Sequence, residues 1–268
     1  MKLTTLSRLG LSFLLILLPG SSFAWSEAIY RLVIRKAIDT LPKAQKKYFE
    51  AHLYELPSLI PDEDPPVRPE GRRFAIDLLG SFPFNDLPRD EAGVKAKTDP
   101  VLVGRLPFLL LEAQARLVEA FKSGDKEKIM LEADAVAILA IDLNNPLALT
   151  KNFDGQNSNQ PGLSKRFTTQ LAENMESRLK VAPEAARLLE DPRDYIFGSM
   201  IRSHIWVDNI LYVDSLAYRG KSSYGGPYFE ALVLRAGRLL DQILSSAATD
   251  AGSFWYTAWT EAGRPELP

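Results

Sequence analysis

Only two histidines, His52 and His204, occur in this chain of 268 residues, and there is no Cys. A catalytic zinc site draws on three protein ligands, mostly His, so these two cannot build one alone. Both fall in amphipathic helical stretches, where a half-buried or helix-surface His is the ordinary outcome. His204 and Asp208 stand i,i+4 and are placed to pair across one helical turn. No GxSxG elbow accompanies them to make a serine hydrolase, and no P-loop, dinucleotide fingerprint or HExxH occurs. Among the acids, Asp142 stands out because it lies in the apolar stretch Ala135-Val-Ala-Ile-Leu-Ala-Ile-Asp-Leu143. A carboxylate carried inside by such a helix needs a partner, whereas at the helix end it could face solvent. Asn152-Phe-Asp-Gly155 has the composition of a tight turn.

The elements that must position these residues read as helices between proline-rich or polar loops, with little period-two alternation. Ile29, Leu32, Val33, Ala37 and Ile38 share one face of a helix ending near Leu41-Pro42, and Pro42 opens a second through about Leu56. Residues 57–71 hold five prolines and the acidic run Asp62-Glu63-Asp64, an irregular loop, and 74–90 is extended and loop-like. Leu106-Pro107 opens a helix through Phe121, stopped by Ser123-Gly124-Asp125, and the next spans about 126–143. Residues 149–162 form a polar loop. Helices are expected at 163–179, 183–190, 193–218 and 227–249, with a last short one around 253–262. Trp255 and Trp259, at i,i+4, are expected to pack into the core rather than to contact a membrane. The pattern predicts an all-α, single multi-helix domain over residues 25–268.

Residues 1–24 read as a signal peptide. Lys2 and Arg8 form its positive end, Leu9–Leu18 its apolar run, and Ser22-Phe-Ala24 a small-x-small cleavage site that makes Trp25 the mature N-terminus. The apolar run is too short to span a bilayer, and no later stretch is long and apolar enough. The expected location is exported, periplasmic or extracellular, and the lack of Cys excludes a lipid-anchored Cys and any disulfide. With 32 basic and 34 acidic residues the net charge is −2, and the leader takes two of the basic residues with it. No basic block stands out beyond Lys46-Lys47 and Arg72-Arg73, so the usual nucleic-acid footprint is missing. The partners are unknown.

Several segments, in order, resemble the zinc-dependent phospholipase C and P-one-type nuclease superfamily. They are Trp25-Ser-Glu-Ala-Ile-Tyr-Arg31 directly after the signal, Ala37-Ile-Asp-Thr-Leu-Pro42, Ile76-Asp77, Pro83-Phe-Asn-Asp-Leu-Pro-Arg-Asp90, Leu106-Pro107 and Leu117–Gly124. Asn145-Pro-Leu147, Thr150–Gln156 and the closing Ala258–Pro268 complete the series. The resemblance implies a helical domain that holds three zinc ions in a cleft and activates water against a phosphodiester. It also implies that the free amine and carbonyl of Trp25 bind one zinc. At the family's other ligand positions this chain has Tyr30, Asp62, Phe74 (in Phe74-Ala-Ile-Asp77), Ile138, Asp142, Ala148, Ser164 and Thr168. Every histidine of that pattern is gone, and Trp25, Asp62 and Asp142 remain. The carboxylates Asp62 and Asp142 suit Mg²⁺ or Ca²⁺ better than zinc.

No zinc or other cofactor is therefore expected, and the favoured reading is an exported, catalytically inactive homologue that keeps the scaffold for binding or an envelope role. A metal-dependent phosphodiesterase with a reduced site of Asp62, Asp142 and Asp77 is one alternative. A structural or interaction protein of the cell envelope is another. Two geometric expectations follow from the favoured reading. Apolar Phe74, Ile138 and Ala148 should fill the former metal space near Tyr30. The Trp25 ammonium, helped by the Tyr30 hydroxyl, should replace the metal as counter-ion of Asp142.

Overall fold

The helix with the longest apolar run in the sequence, α6 (Lys126–Leu143), is also the one buried most completely. Every side chain from Ala135 to Leu143 is buried, Asp142 included. A helix apolar on all sides belongs at the centre of its domain. Asp125 starts it, its carboxylate accepting the Lys128 N–H. In this computed structural model residues 25–59 and 71–268 are described. The expected signal peptide (residues 1–24) and Asp62 lie outside the described residues.

Helix α1 (Glu27–Thr40) and α2 (Lys43–Ala51) come first. The second helix stops at Ala51, short of the expected Leu56, and a 3₁₀ turn at Leu53–Glu55 follows it. Two short helices that the sequence reading left unassigned, α3 (Glu91–Lys97) and α4 (Pro100–Val103), are capped by the carboxylates of Asp90 and Asp99. Helix α5 (Leu106–Ser123) ends at Gly124, whose φ of +66° lets the chain turn back, so that α5 packs along α6. After the polar loop come α7 (Leu163–Lys165), a π-helical turn (Arg166–Gln170) and α8 (Leu171–Met175), and a 3₁₀ turn closes at Arg178. The expected uninterrupted helix at 163–179 is thus a composite.

The expected helix at 193–218 is two, α9 (Pro192–His204) and α10 (Val207–Tyr218), parted by a turn at Ile205-Trp206 in which the Trp206 N–H reaches back to Ser203. The two expected last helices are one, α11 (Gly226–Glu261). It packs against α1, α5, α6, α8 and α10, and Trp255 sits in the core on it, stacked on Phe49 of α2 at 4.6 Å. Among the described residues there is no β-strand, and no helix is long and apolar enough to cross a membrane.

The expected helix at 183–190 does not form. Residues 179–190 are extended and lie as a strap along α11. The amides of Lys180, Ala182, Glu184, Arg187 and Leu189 donate to Asp241 Oδ1, Ser245 Oγ, Thr249 Oγ1, Ser253 Oγ and Thr257 Oγ1. These acceptors stand every fourth residue on α11. Four helical residues advance about 6.0 Å, and two extended residues about 6.2–6.8 Å, so alternate strap amides meet successive side chains, except for one three-residue step from 184 to 187, where the Ala186 amide goes to Thr40 of α1 instead. Ser245, Thr249 and Ser253 also donate to the carbonyl four residues back, so each hydroxyl serves both chains. Tertiary hydrogen bonding overrides the helix propensity of the strap. It also keeps α11 intact through Thr249–Ser253, where the composition suggests a stop.

A second extended piece places a buried ion pair. Arg105 N–H donates to Gly71, Leu106 to Arg73, Ala75 to Val103 and Phe74 to Ala148, at 2.8–3.1 Å. Extended backbone sends successive side chains to opposite sides. Arg72 and Phe74 point into the core, while Arg73 lies outside, its guanidinium 4.8 Å from the Phe153 ring centre. The close approach requires Gly104, whose φ is +94°, because a Cβ there would stand 2.2 Å from the Arg73 carbonyl oxygen.

Candidate functional site

Where the resemblance would place metal ligands, the structure has an arginine. Asp142 is 2 % exposed on the central helix, and Arg72, carried in by the extended segment, donates from Nε to its Oδ2 at 2.5 Å. The same guanidinium donates from Nη2 to the hydroxyl of Tyr30. Burial and the neighbouring Asp142 charge hold the Tyr30 hydroxyl firmly protonated. Burial pushes the Asp142 carboxyl upward, against the pull of Arg72. Burial also opposes the Arg72 charge, but Asp142 and Tyr30 more than offset it and the group stays cationic. The counter-ion of Asp142 is therefore Arg72; the Trp25 nitrogen is a peptide nitrogen in this chain, and the expected ammonium belongs to the cleaved protein.

Trp25, Phe74, Ile138, Ala148, Ser164 and Thr168 are all buried. Phe74 bonds to the Ala148 carbonyl through its backbone, and Ile138 shares the face of α6 with Asp142 one turn away. Thr168 donates to the Ser164 carbonyl, and the Trp25 ring packs against the neighbouring Phe167 at 6.4 Å. Asp77 is engaged elsewhere, accepting from the Thr150 hydroxyl and the Lys151 N–H.

These residues do not fit zinc. Phenylalanine, isoleucine and alanine have no donor atoms, the Tyr30 hydroxyl is held protonated, and the one carboxylate of the set among the described residues is bonded to a fixed cation. Among the described residues, no three His, Cys, Asp or Glu side chains are grouped to hold a metal ion.

Neither histidine forms a catalytic pair. His52 is hydrogen-bonded to Glu55 at 2.8 Å, and no hydrogen bond joins His204 to Asp208. The break after α9 puts Asp208 on a different helix. The His204 ring meets Phe84 edge-on at 4.9 Å with Nε2 unpartnered, and burial lowers its pKa. The carboxylate of Asp154 accepts from the Gly162 and Ser164 N–H groups and closes its loop, as turn chemistry predicts.

Two further polar centres were missed from the sequence. In the first, Arg166, on the π turn, donates to both oxygens of Asp214, which also accept from the Tyr228 hydroxyl and Gln160. The Tyr224 ring covers Arg166 at 3.8 Å. Each partner is saturated by the other's neighbourhood, an arrangement that holds α10 to the 160–170 segment. A π turn was the available signal only once the structure was known, because π and α segments have the same composition.

The second centre is an open cavity of about 420 Å³ between α9, α11 and the strap. At its floor Asp250 accepts from the Tyr195 hydroxyl at 2.5 Å and from Asn144 at 2.9 Å. Burial raises the Asp250 pKa, and these two hydrogen bonds work against that rise. The signal available in the sequence was the spacing of Tyr195, Ser199, Arg202 and Ser203 on one face of a helix.

Compared with known proteins, the chain matches no family model and no curated protein.

Proposed function

We propose that this chain is a non-catalytic member of the zinc-dependent phospholipase C and P-one-type nuclease superfamily, exported with Trp25 as its mature N-terminus and kept as a binding scaffold. The observation that supports this most is the Tyr30–Arg72–Asp142 network. In the family pattern Tyr30 and Asp142 stand at ligand positions, and here a guanidinium bridges them. A buried arginine remains charged at any working pH. It supplies Asp142 with the positive charge that a metal would give and repels a dication from the same place. It cannot lower the pKa of a water or accept a phosphoryl oxygen into an open coordination position, as a zinc ion does. Phe74, Ile138 and Ala148 are buried apolar groups, whose burial stabilises the fold without any metal.

The test is elemental analysis of the exported, tag-free protein after dialysis, together with a phosphodiesterase assay on a chromogenic diester with and without EDTA. The expected result is substoichiometric zinc, no activity above background, and a melting temperature that EDTA leaves unchanged. Bound metal adds to folding stability by mass action, so its removal would lower the melting temperature. One or more zinc ions per chain, or an activity that EDTA abolishes, would overturn the proposal.

A further inference from the structure

Two helix faces that confront each other inside a helical protein are ordinarily apolar. At the cavity beside the strap they are polar on both sides. From α9 and the turn after it come Tyr195, Ser199, Arg202, Ser203 and Trp206, spaced along one face. From α11 come Gln242, Ser246, Thr249 and Asp250, again one face. The strap closes the third side with Glu184 and Arg187.

Arg187 and Arg202 converge on one ring, their guanidinium carbons 5.3 and 5.5 Å from the centre of Tyr195. Arg187 donates from Nη2 to the Tyr195 hydroxyl at 2.9 Å, and Arg202 donates from Nη2 to Ser199 Oγ at 2.7 Å. Among the described residues neither guanidinium lies within ion-pair distance of a carboxylate. Arg187 feels the charges of Asp250 and Glu184 only from further off. The floor carboxylate is already engaged by Tyr195 and Asn144. A guanidinium has five N–H donors in a planar fork suited to a carboxylate or phosphate, and most of those on this pair are not spent on protein. The two guanidiniums share the cavity with the carboxyls of Asp250 and Glu184, none of them in direct ion-pair contact, so it is their unspent N–H donors, rather than an excess of positive charge, that an anion from outside would meet. The volume, about 420 Å³, is in the range of small-molecule pockets and many times the share of a single water. Trp206 supplies a flat apolar wall beside the cationic end.

We propose that this cavity binds a small organic anion, its phosphate or carboxylate group held between Arg187 and Arg202 and its uncharged part set against Trp206 and the serine hydroxyls of α9 and α11. The site goes beyond the scaffold reading and does not depend on it. Because Arg187 sits on the strap, the ligand would also tie the strap to α9.

The experiment is isothermal titration of the purified full chain with glycerol 3-phosphate, inorganic phosphate, succinate and glycerol, with tryptophan fluorescence followed in parallel. At least one of the anions is expected to bind, more weakly as salt is raised, and glycerol is not. Binding of the phosphates alone assigns the site to phosphate, and binding of succinate alone assigns it to carboxylate. Arg187→Gln and Arg202→Gln should each weaken binding about tenfold or more, while Arg235→Gln, on α11 away from the cavity, should leave it unchanged. Should a glutamine variant not fold, the corresponding Arg→Lys variant supplies the reading, with a smaller loss expected because the planar fork is gone. The proposal is overturned if neither kind of anion binds at millimolar concentration, if glycerol binds as well as its phosphate, or if affinity survives substitution of both arginines.

Discussion

Replacing Arg72 by Met should destabilise the protein by roughly 3–5 kcal/mol, because it strands a buried carboxylate on the central helix without its cation. Asp142 accepts nothing else that compensates, since its Oδ1 has no hydrogen-bond partner among the described residues. Asp142→Leu should cost a similar amount by stranding the guanidinium, which cannot discharge itself. The double variant Arg72→Met, Asp142→Leu should recover most of the loss, because replacing a whole buried ion pair by apolar groups of similar volume is often neutral or better. Urea unfolding of the four proteins gives the coupling energy directly. A value of several kcal/mol is expected, and single variants within about 1 kcal/mol of the parent would show that the pair is hydrated or easily rearranged. Tyr30→Phe belongs in the same series. It removes one acceptor from Arg72 and should cost about 1–2 kcal/mol.

The second large effect is expected at Trp255. The side chain is fully buried, stacked on Phe49 with the ring planes 15° apart, and its indole N–H donates to the Ala133 carbonyl of α6 at 2.8 Å. It therefore joins α2, α6 and α11 at one point. Trp255→Ala should cost about 3–5 kcal/mol through lost burial and the cavity left behind. That is a large share of the 5–15 kcal/mol that typically separates folded from unfolded states. For a chain of this size it corresponds to a fall in melting temperature of about 10 °C. Trp255→Phe retains most of the volume and should cost well under half as much. Thermal unfolding of both variants checks the ratio. Equal losses would mean that the indole N–H bond, not the packed volume, dominates.

The central helices were legible because their evidence is local. Asp125 caps α6, Pro107 opens α5, and apolar residues recur at helical spacing between such signals. The two main departures share a physical cause. Pro183–Glu190 has good helix formers, and Thr249–Ser253 has poor ones, so propensity favours a helix in the strap and a break in α11. The hydrogen bonds between the two reverse both preferences, and a pairing over some 60 residues of sequence separation leaves no local mark. At the buried centre, Asp142 was legible as a carboxylate in need of a partner. Its partner was not, since Arg72 next to Arg73 reads as an exposed basic pair until the alternation of an extended segment is recognised. Tyr30 was singled out with Asp142, but the cation bonded to both comes from a different element.

The strap on α11 also has a consequence for which changes the chain tolerates. Each strap amide is served by one side chain, so exchanging a single Ser or Thr of the ladder removes one bond and leaves its neighbours in register. A change of length behaves differently. The strap presents amides 180, 182 and 184 to α11, passes Ala186 to the Thr40 carbonyl of α1, and resumes with 187 and 189. Pro183, which has no N–H to give, falls on a skipped beat. Inserting or deleting one residue before Ala186 would turn the amides on that side away from their acceptors and bring the proline toward one. The strap is therefore a spacer whose residue count is constrained more tightly than its composition, and its sequence can drift provided its length does not.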